Sequence, residues 1–212
     1  MKACIFDLDG TLLDTLGMWG KIDDVFLKSR GLVAPDYREC IRKLSFYETA
    51  EYTVRRFELD ETPEDLMTLW TNMALHFYTE DAQLKPYAKD YLFALKKAGY
   101  LLGIATSNDT PLFLPALSRN GVFELFDAFA TTFEVPYGKT RPDVFLLTAE
   151  RLGVAPSDCV VFEDTPEGIK SAKMAGMTVY GIYDATWDYL RDHIASLCDA
   201  FLLSFKDAPL SF

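Results

Sequence analysis

The chain has 212 residues, of which 50% are hydrophobic, 14% aromatic and 25% charged, as in ordinary folded globular proteins and unlike disordered or fibrous ones. With 32 acidic and 21 basic residues its formal net charge is −11, which disfavours nucleic acid and anionic membrane surfaces as partners. The length fits one domain, or one domain that carries a smaller insert, better than two equal domains.

The cysteines and the N-terminal residues indicate the compartment. The four cysteines are far apart and lack the spacing of a zinc site, so we expect buried free thiols in a reducing environment. Asp7 follows the first apolar run too early for a signal peptide, and no apolar run approaches the ~18 residues of a membrane helix. We therefore expect a cytoplasmic protein, either a monomer or a small homo-oligomer.

The first predicted elements are one strand and a group of helices. The apolar run KACIF is typical of a buried strand, and it stops at the turn-prone DLDGT. From 15 to 84 apolar residues recur at helical spacing, with a stop at Gly31, a break near Ser45, and a start at Thr62 followed by Pro63. This segment is therefore predicted to be an all-helical insert.

After Pro86 the pattern changes to helices that alternate with strands. The predicted helices span 87–98, 111–120, the residues between Pro142 and Gly153, and those between Thr165 and Gly176. The predicted strands are YLLGIA, AFATT, CVVFED, MTVYGI and DAFLLS. Such alternation predicts an α/β domain with a parallel sheet and helices on both faces, formed by residues 1–14 and 85–212. Pro115 conflicts with the second helix and suggests a kink or a start closer to Leu114.

Polar residues gather at the predicted strand ends, which is where open α/β sheets bind their ligands. They are Asp7 and Asp9 after the first strand, Thr106, Ser107 and Asn108 after YLLGIA, Lys139 in the loop after AFATT, and Glu163 and Asp164 after CVVF. Carboxylates this close would repel and raise one another's pKa unless a divalent cation neutralised them. Oxygen ligands of this kind select Mg²⁺, so the sequence predicts a magnesium site.

The same strand ends could bind a phosphate. Lys139 supplies a positive charge, and Thr106, Ser107 and Asn108 supply hydroxyl and amide donors. No glycine-rich phosphate loop is present in the sequence, so a phosphomonoester is favoured over a nucleoside triphosphate.

A carboxylate could also carry the reaction itself. Asp7, placed directly after a buried strand, can attack phosphorus and form an aspartyl phosphate. Asp9 lies on the same side of an extended segment and can act as the acid for the leaving oxygen and the base for water. Taken alone, both acids also fit a turn after a strand. Their combination with the other strand-end residues favours catalysis.

Four segments resemble the motifs of the haloacid dehalogenase-like superfamily in their order and spacing. They are DLDGTLLD at 7–14, TSN at 106–108, GKTRPD around Lys139 and FEDTPEG at 162–168. The resemblance implies a Rossmann-like core with a helical cap inserted after the first motif, as in the group of β-phosphoglucomutase and phosphoglycolate phosphatase. Thr140 replaces a proline usual in the lysine motif, and Pro86-Tyr87-Ala88 stands where Pro-Gly is usual.

The resemblance also implies a role for each site residue. Asp7 is nucleophile and Mg²⁺ ligand, Asp9 is acid/base and binds the metal through its carbonyl, Thr106 and Lys139 bind phosphate, and Asp164 binds the metal with Glu163 beside it. Ser107 and Asn108 complete the expected phosphate site. The implied activity is a Mg²⁺-dependent phosphatase that hydrolyses a small phosphorylated metabolite. A sugar phosphomutase of the β-phosphoglucomutase type, which shares these residues, is the alternative.

Two further functions remain open at this point. A receiver-type signalling domain also phosphorylates an aspartate, but such domains are shorter and lack a helical insert. A catalytically silent binding protein is disfavoured because no motif residue is missing. Within the insert, the candidate specificity residues are Ser45, Phe46 and Tyr47. Four basic residues of the insert could bind a second anionic group, although a solvated helix face is the favoured interpretation. They are Arg42, Lys43, Arg55 and Arg56.

Overall fold

The computed structural model of the chain describes residues 2–41, 44 and 46–212. It divides into two compact units: a core unit, Met1–Leu16 with Ala82–Phe212, and a helical unit, Gly17–Asp81. The domain boundaries expected from the sequence, after residues 14 and 84, stay a prediction. The candidate anion-binding and specificity residues Arg42, Lys43 and Ser45 lie outside the described residues.

Strands occur in the core unit, and helices occur in both units. The strands are β1 (Ala3–Phe6), β2 (Leu101–Thr106), β3 (Ala128–Thr131), β4 (Cys159–Glu163), β5 (Thr178–Ile182) and β6 (Ala200–Leu202). The helices are α1 (Met18–Ser29), α2 (Tyr37–Ile41), α3 (Phe46–Phe57), α4 (Pro63–Glu80), α5 (Ala88–Lys97), α6 (Thr110–Arg119), α7 (Asp143–Leu152), α8 (Pro166–Met174) and α9 (Arg191–Leu197). The sequence patterns did not predict α9, which is only seven residues long.

The core unit is built on a six-stranded sheet in the order β3-β2-β1-β4-β5-β6, and every neighbouring pair is parallel. β1 and β4 are buried along their whole length, as expected for apolar strands that are covered on both faces. This strand order is that of a Rossmann-like fold. The predicted α/β architecture with a parallel sheet is therefore confirmed.

The apolar core lies on both faces of this sheet. On one face the rings of Phe6 and Phe162 stack with centroids 4.7 Å apart, and Tyr91 packs edge-on against Phe162. On the other face Ile5 and Val161 belong to an apolar cluster that includes residues of α7 and α8. Because side chains alternate across a strand, packing on both faces determines the register of each strand. The register in turn determines which residues stand at the edge of the sheet.

The helix ends follow local signals. Thr165 Oγ1 accepts a hydrogen bond from Gly168 N at the start of α8, and Gly153, at φ +68°, ends α7. In the helical unit, Thr62 and Asp65 cap α4 reciprocally through hydrogen bonds of 3.2 and 2.9 Å. The predicted cap residues are thereby confirmed, and all regular elements described in the helical unit are helices.

Pro115 lies inside α6 and not in its first turn. The helix begins at Thr110, where Asp109 accepts a hydrogen bond from Thr110 N and Pro111 occupies the first turn. The expected start near Leu114 is therefore wrong. The cap and the early proline determine where the helix begins, although Pro115 removes one N–H donor and its ring crowds the carbonyl one turn earlier.

The cysteines are free, as predicted, but the expectation that they are buried is wrong for Cys40. All four cysteines are free: Cys4 and Cys159 are buried, Cys198 is half-buried and Cys40 is exposed. Among the helices of residues 2–41, 44 and 46–212, none is long and apolar enough to cross a bilayer.

Tyr87 occupies a position that favours glycine. It precedes α5 with φ +66°, in the left-handed region, and 52% of its surface is exposed. A residue with a Cβ atom loses roughly 1–2 kcal/mol in this conformation. The departure from Pro-Gly at Pro86-Tyr87 therefore introduces backbone strain that glycine would remove.

We expect Tyr87→Gly to have a free energy of unfolding about 1 kcal/mol higher than Tyr87→Ala, because both variants lose the ring and only glycine loses the Cβ atom. Urea denaturation at pH 7 measures the difference. Tyr87→Ala is the matched control for loss of the ring and of its contact with Lys206. Equal stability of the two variants would show that this turn carries no strain.

Candidate active site

The strand pairing places Asp7 beside Glu163. β1 and β4 pair in parallel with Phe6 opposite Phe162, so the next residue of each chain segment stands at the same edge of the sheet. Asp7 N donates to the Phe162 carbonyl at 3.0 Å, which extends the pairing by one residue. Because Asp164 follows Glu163 directly, the sheet brings three acidic residues to one place.

These three carboxylates form a buried cluster. One oxygen from each of Asp7, Glu163 and Asp164 lies within 4.8 Å of the other two. The residues are 5%, 0% and 0% exposed, respectively. Lys139 Nζ donates to Asp7 Oδ1 and, at 2.8 Å, to Glu163 Oε2. A nearly buried lysine thus faces two of the three carboxylates, and its predicted role in phosphate binding stays a prediction.

The charges in this cluster are not balanced. Burial, reinforced by Glu163, raises the pKa of Asp7 well above its ordinary value, although Lys139 acts in the opposite direction. Burial and Glu163 also raise the pKa of Asp164 to about 7. Burial alone would lower the pKa of Lys139, but Asp7 and Glu163 raise it, so the lysine is charged. A second cation would relieve the remaining repulsion.

The start of α8 holds Glu163. Its Oε1 accepts a hydrogen bond from Thr165 Oγ1 at 2.8 Å, and from the backbone N–H groups of Asp164 and Thr165 at 3.2 and 3.1 Å. Gly168, in the first turn of α8, lies so close that a Cβ atom there would overlap the Glu163 carboxylate. Glu163 therefore interacts with the helix N-terminus and with Lys139 at the same time.

Asp164 receives a hydrogen bond on each oxygen. Thr11 Oγ1 donates to Oδ1 at 2.8 Å, and Trp187 Nε1 donates to Oδ2 at 2.8 Å. Gly10, at φ +84°, passes so close that a Cβ atom there would overlap Asp164 Oδ2 and the Leu16 side chain. Glycine is required at this position of the first motif by its backbone conformation and by this approach.

Asp9 has a separate set of partners. Thr15 Oγ1 donates to its Oδ1 at 2.6 Å, and Asn108 Nδ2 donates to its Oδ2 at 2.9 Å. Asn108 N in turn donates to Thr106 Oγ1 at 3.0 Å. Thr106 is buried at the end of β2, whereas Ser107 is exposed. The structure thus links two of the predicted phosphate-binding residues, Asn108 and Thr106, to the predicted acid/base.

The donor set of the cluster fits a divalent cation. Carboxylate oxygens are the ligands that Mg²⁺ prefers, and a cation would stabilise carboxylates whose pKa values burial has raised. Of the predicted ligands, the carboxylates of Asp7, Glu163 and Asp164 come together. The Asp9 carboxylate accepts the two hydrogen bonds named above. Metal binding by the main-chain carbonyl of Asp9 is what the resemblance implies, and it stays a prediction.

Sequence reasoning missed three residues of this site: Thr11, Thr15 and Trp187. The two threonines each donate to a carboxylate and lie within or next to the first motif, where their hydroxyl groups could have been noticed. Trp187 lies 23 positions beyond Asp164 and outside every motif. No pattern in the sequence connects this tryptophan to the acidic residues.

Comparisons with known proteins agree with these observations. A family model described as haloacid dehalogenase-like hydrolase matches residues 1–176, which include every predicted site residue. The chain is 31% identical over 210 residues to a Drosophila melanogaster protein named "Probable pseudouridine-5'-phosphatase", with 96% of this chain and 90% of that protein covered. It is 32% identical over 186 residues to hexitol phosphatase A of Escherichia coli K12, with 85% and 82% covered.

A solved structure shows the same fold. The crystal structure titled "putative beta-phosphoglucomutase from Thermotoga maritima" matches with a TM-score of 0.85 at 27% identity, and the match covers 95% of this chain and 94% of that one. Together these matches confirm the resemblance stated from the four motifs and the predicted class of enzyme, a phosphoric monoester hydrolase.

The raised pKa of Asp164 makes the stability of the metal-free protein depend on pH. Folded Asp164 keeps its proton up to about pH 7, whereas the unfolded residue loses it near its ordinary pKa of 3.8. The folded state therefore binds more protons in this window, and stability falls as the pH rises through it. We expect wild type in EDTA to lose more thermal stability than Asp164→Asn between pH 5 and pH 8.

The control for this measurement is Asp207→Asn, which removes an exposed carboxylate and should follow the wild type. Differential scanning fluorimetry at each pH gives the unfolding temperatures. An equal loss in wild type and in Asp164→Asn would mean that Asp164 does not titrate in this window.

Proposed function

The chain belongs to the haloacid dehalogenase-like hydrolase family, and from this premise we propose that it is a Mg²⁺-dependent phosphatase of small phosphorylated metabolites that uses Asp7 as nucleophile. The observation that carries the proposal is the environment of Asp7. Its carboxylate lies buried at the end of β1, receives a hydrogen bond from Lys139 and stands within reach of Glu163 and Asp164. A carboxylate held in this way is placed to attack phosphorus beside a positive charge.

The reaction consists of two displacements. In the first, an Asp7 oxygen forms a bond to phosphorus, the bond between phosphorus and the substrate oxygen breaks, and Asp9 gives a proton to that oxygen. In the second, Asp9 takes a proton from water, the water oxygen bonds to phosphorus, and the bond between Asp7 and phosphorus breaks. The products are the dephosphorylated metabolite and inorganic phosphate, and Asp7 and Asp9 return to their starting states.

Other residues of the site bind and orient the reacting groups. Lys139 and Thr106, with Ser107 and Asn108, are the proposed contacts of the phosphoryl oxygens. Hydrogen bonds from Thr15 and Asn108 hold the two oxygens of Asp9 in place for proton transfer. Mg²⁺, held by Asp7, the Asp9 carbonyl, Asp164 and Glu163, would supply further positive charge at the phosphoryl group.

The proposed substrates are phosphorylated sugars and related small metabolites. The relatives described above carry the names of a pseudouridine 5'-phosphatase and a hexitol phosphatase. A sugar phosphomutase is the second candidate, because the structure with the TM-score of 0.85 is titled as a β-phosphoglucomutase. The two activities differ in the acceptor of the phosphoryl group, which is water for a phosphatase and a sugar hydroxyl for a mutase.

The first test is phosphate release from a panel of phosphomonoesters with Mg²⁺ or with EDTA. We expect Asp7→Asn to abolish the release, because the amide cannot act as the nucleophile. Asp14→Asn, which changes an exposed carboxylate close to the same motif, is the matched control and should retain activity. Equal release by wild type and Asp7→Asn would contradict the mechanism.

A separate assay distinguishes a phosphatase from a mutase. Isomerisation of a hexose 1-phosphate that is stimulated by the bisphosphate and releases no phosphate would favour the mutase.

The second test is direct detection of the covalent intermediate. Asp9→Asn should lower kcat by about 10²–10⁴-fold, because it removes the group that activates water. With p-nitrophenyl phosphate, whose leaving group needs no proton, we expect one phosphoryl group to accumulate on the chain. Peptide mass spectrometry should place the label on Asp7, and hydroxylamine should remove it. Labelling of the double variant Asp7→Asn/Asp9→Asn would assign the intermediate to another residue.

A further inference from the structure

Trp187 reaches the acidic cluster from outside every sequence motif. Its Nε1 donates to Asp164 Oδ2 at 2.8 Å, while Thr11 Oγ1 donates to Oδ1 at 2.8 Å. Asp164 is 0% exposed, so water does not reorient its carboxylate. A donor on each oxygen therefore determines the orientation of the carboxylate plane.

The indole is itself held in place. Trp187 lies in the 3-10 turn Ala185–Leu190 after β5 and packs against the apolar cluster of the core unit. Asp184 Oδ1 accepts a hydrogen bond from Thr186 N at 2.8 Å, and the Asp184 carbonyl accepts one from Trp187 N at 3.1 Å. Asp184 pairs with Lys85 at 2.8 Å, and their side chains are only 8% and 11% exposed. The turn that carries the indole is thus fixed by a nearly buried ion pair.

The indole N–H group is a suitable hydrogen-bond donor to a carboxylate that binds a metal ion. The N–H group donates only, carries no charge and cannot bind a cation. Each carboxylate oxygen can accept more than one interaction, so the bond from Trp187 leaves Asp164 Oδ2 able to bind a metal ion. A charged donor such as lysine would instead add a positive charge that competes with the cation. Donors that orient metal ligands in this way typically contribute 10–100-fold to metal affinity.

We propose that Trp187 is a positioning residue that orients Asp164 toward Mg²⁺, and this inference rests on the Mg²⁺ site of the proposed function. The role depends on one hydrogen bond, from the indole nitrogen to Asp164 Oδ2. Removing that bond while retaining an aromatic side chain should weaken metal binding without unfolding the protein.

The test is direct metal binding by the full chain in the absence of substrate. Isothermal titration calorimetry with MgCl₂, and electron paramagnetic resonance of free Mn²⁺ during titration with MnCl₂, give dissociation constants without an activity assay. We expect Trp187→Phe to bind both ions at least about 10-fold more weakly than wild type. The unfolding temperature of each metal-free protein, measured in EDTA, shows whether the variant is still folded. Weaker metal binding by a folded variant is then due to a misoriented Asp164 carboxylate.

Trp70→Phe is the matched control for loss of an indole N–H. Trp70 is 2% exposed, and its Nε1 has no hydrogen-bond partner within the part of the chain that the structure describes. Wild-type affinity in Trp70→Phe together with weakened affinity in Trp187→Phe supports the proposal. Wild-type affinity in Trp187→Phe overturns it and leaves the Mg²⁺ site intact. A wild-type protein that binds neither ion overturns the Mg²⁺ site itself, and the role of Trp187 with it.

A second measurement applies if Trp187→Phe does not fold. The chain has three tryptophans, so Trp19→Phe/Trp70→Phe retains Trp187 as its single tryptophan. A saturable change in the emission of Trp187 on addition of MgCl₂, with the midpoint found by calorimetry, supports contact with a metal ligand. Constant emission while calorimetry detects binding overturns the proposal.

Discussion

The burial of three carboxylates at the ends of two neighbouring strands is the constraint on which the rest of this site depends. Each buried ion loses several kcal/mol of hydration unless partners replace the lost water. One carboxylate oxygen from each of Asp7, Glu163 and Asp164 lies within 4.8 Å of the other two, and Lys139 offsets only part of the repulsion. The raised pKa values of Asp7 and Asp164 show the remaining imbalance. A divalent cation would relieve this repulsion, and a bound cation would attract phosphate to the site of an acidic protein.

The core unit supplies different partners to each carboxylate, and these partners suit different roles. Glu163 is held by the N-terminus of α8 and by Lys139, so its orientation is fixed on both oxygens. Asp164 is held by Thr11 and by Trp187, two neutral donors that favour its charged form. Asp7 contacts Lys139 at the end of β1, where a phosphoryl group could approach its carboxylate. One strand edge thereby combines the proposed nucleophile, a proposed metal ligand whose orientation is fixed, and a nearly buried lysine.

Much of this arrangement could be predicted because it depends on local patterns. A buried apolar strand followed by an acid places that acid at the sheet edge, as at Asp7, and a threonine before proline begins a helix, as at Thr165. The conformational preferences of single residues failed at two places. Pro115 lies within α6 although proline disfavours helix interiors, and Tyr87 adopts the left-handed conformation despite its Cβ atom. At Pro115 the Asp109 cap and the early Pro111 outweigh the preference of one residue, and at Tyr87 the turn before α5 keeps a conformation that glycine would adopt more easily.

The sequence by itself determined the family, the alternation of strands and helices, and the acids, hydroxyls and lysine at the strand ends. These features depend on residue types at short spacing, which a linear pattern records. Only the tertiary structure decided that Lys139 bonds to Asp7 and Glu163, that Asn108 holds Asp9, and that Trp187 reaches Asp164. Such bonds join residues far apart in the chain, so they depend on strand register and on the packing of the turn after β5. No local spacing specifies these two properties.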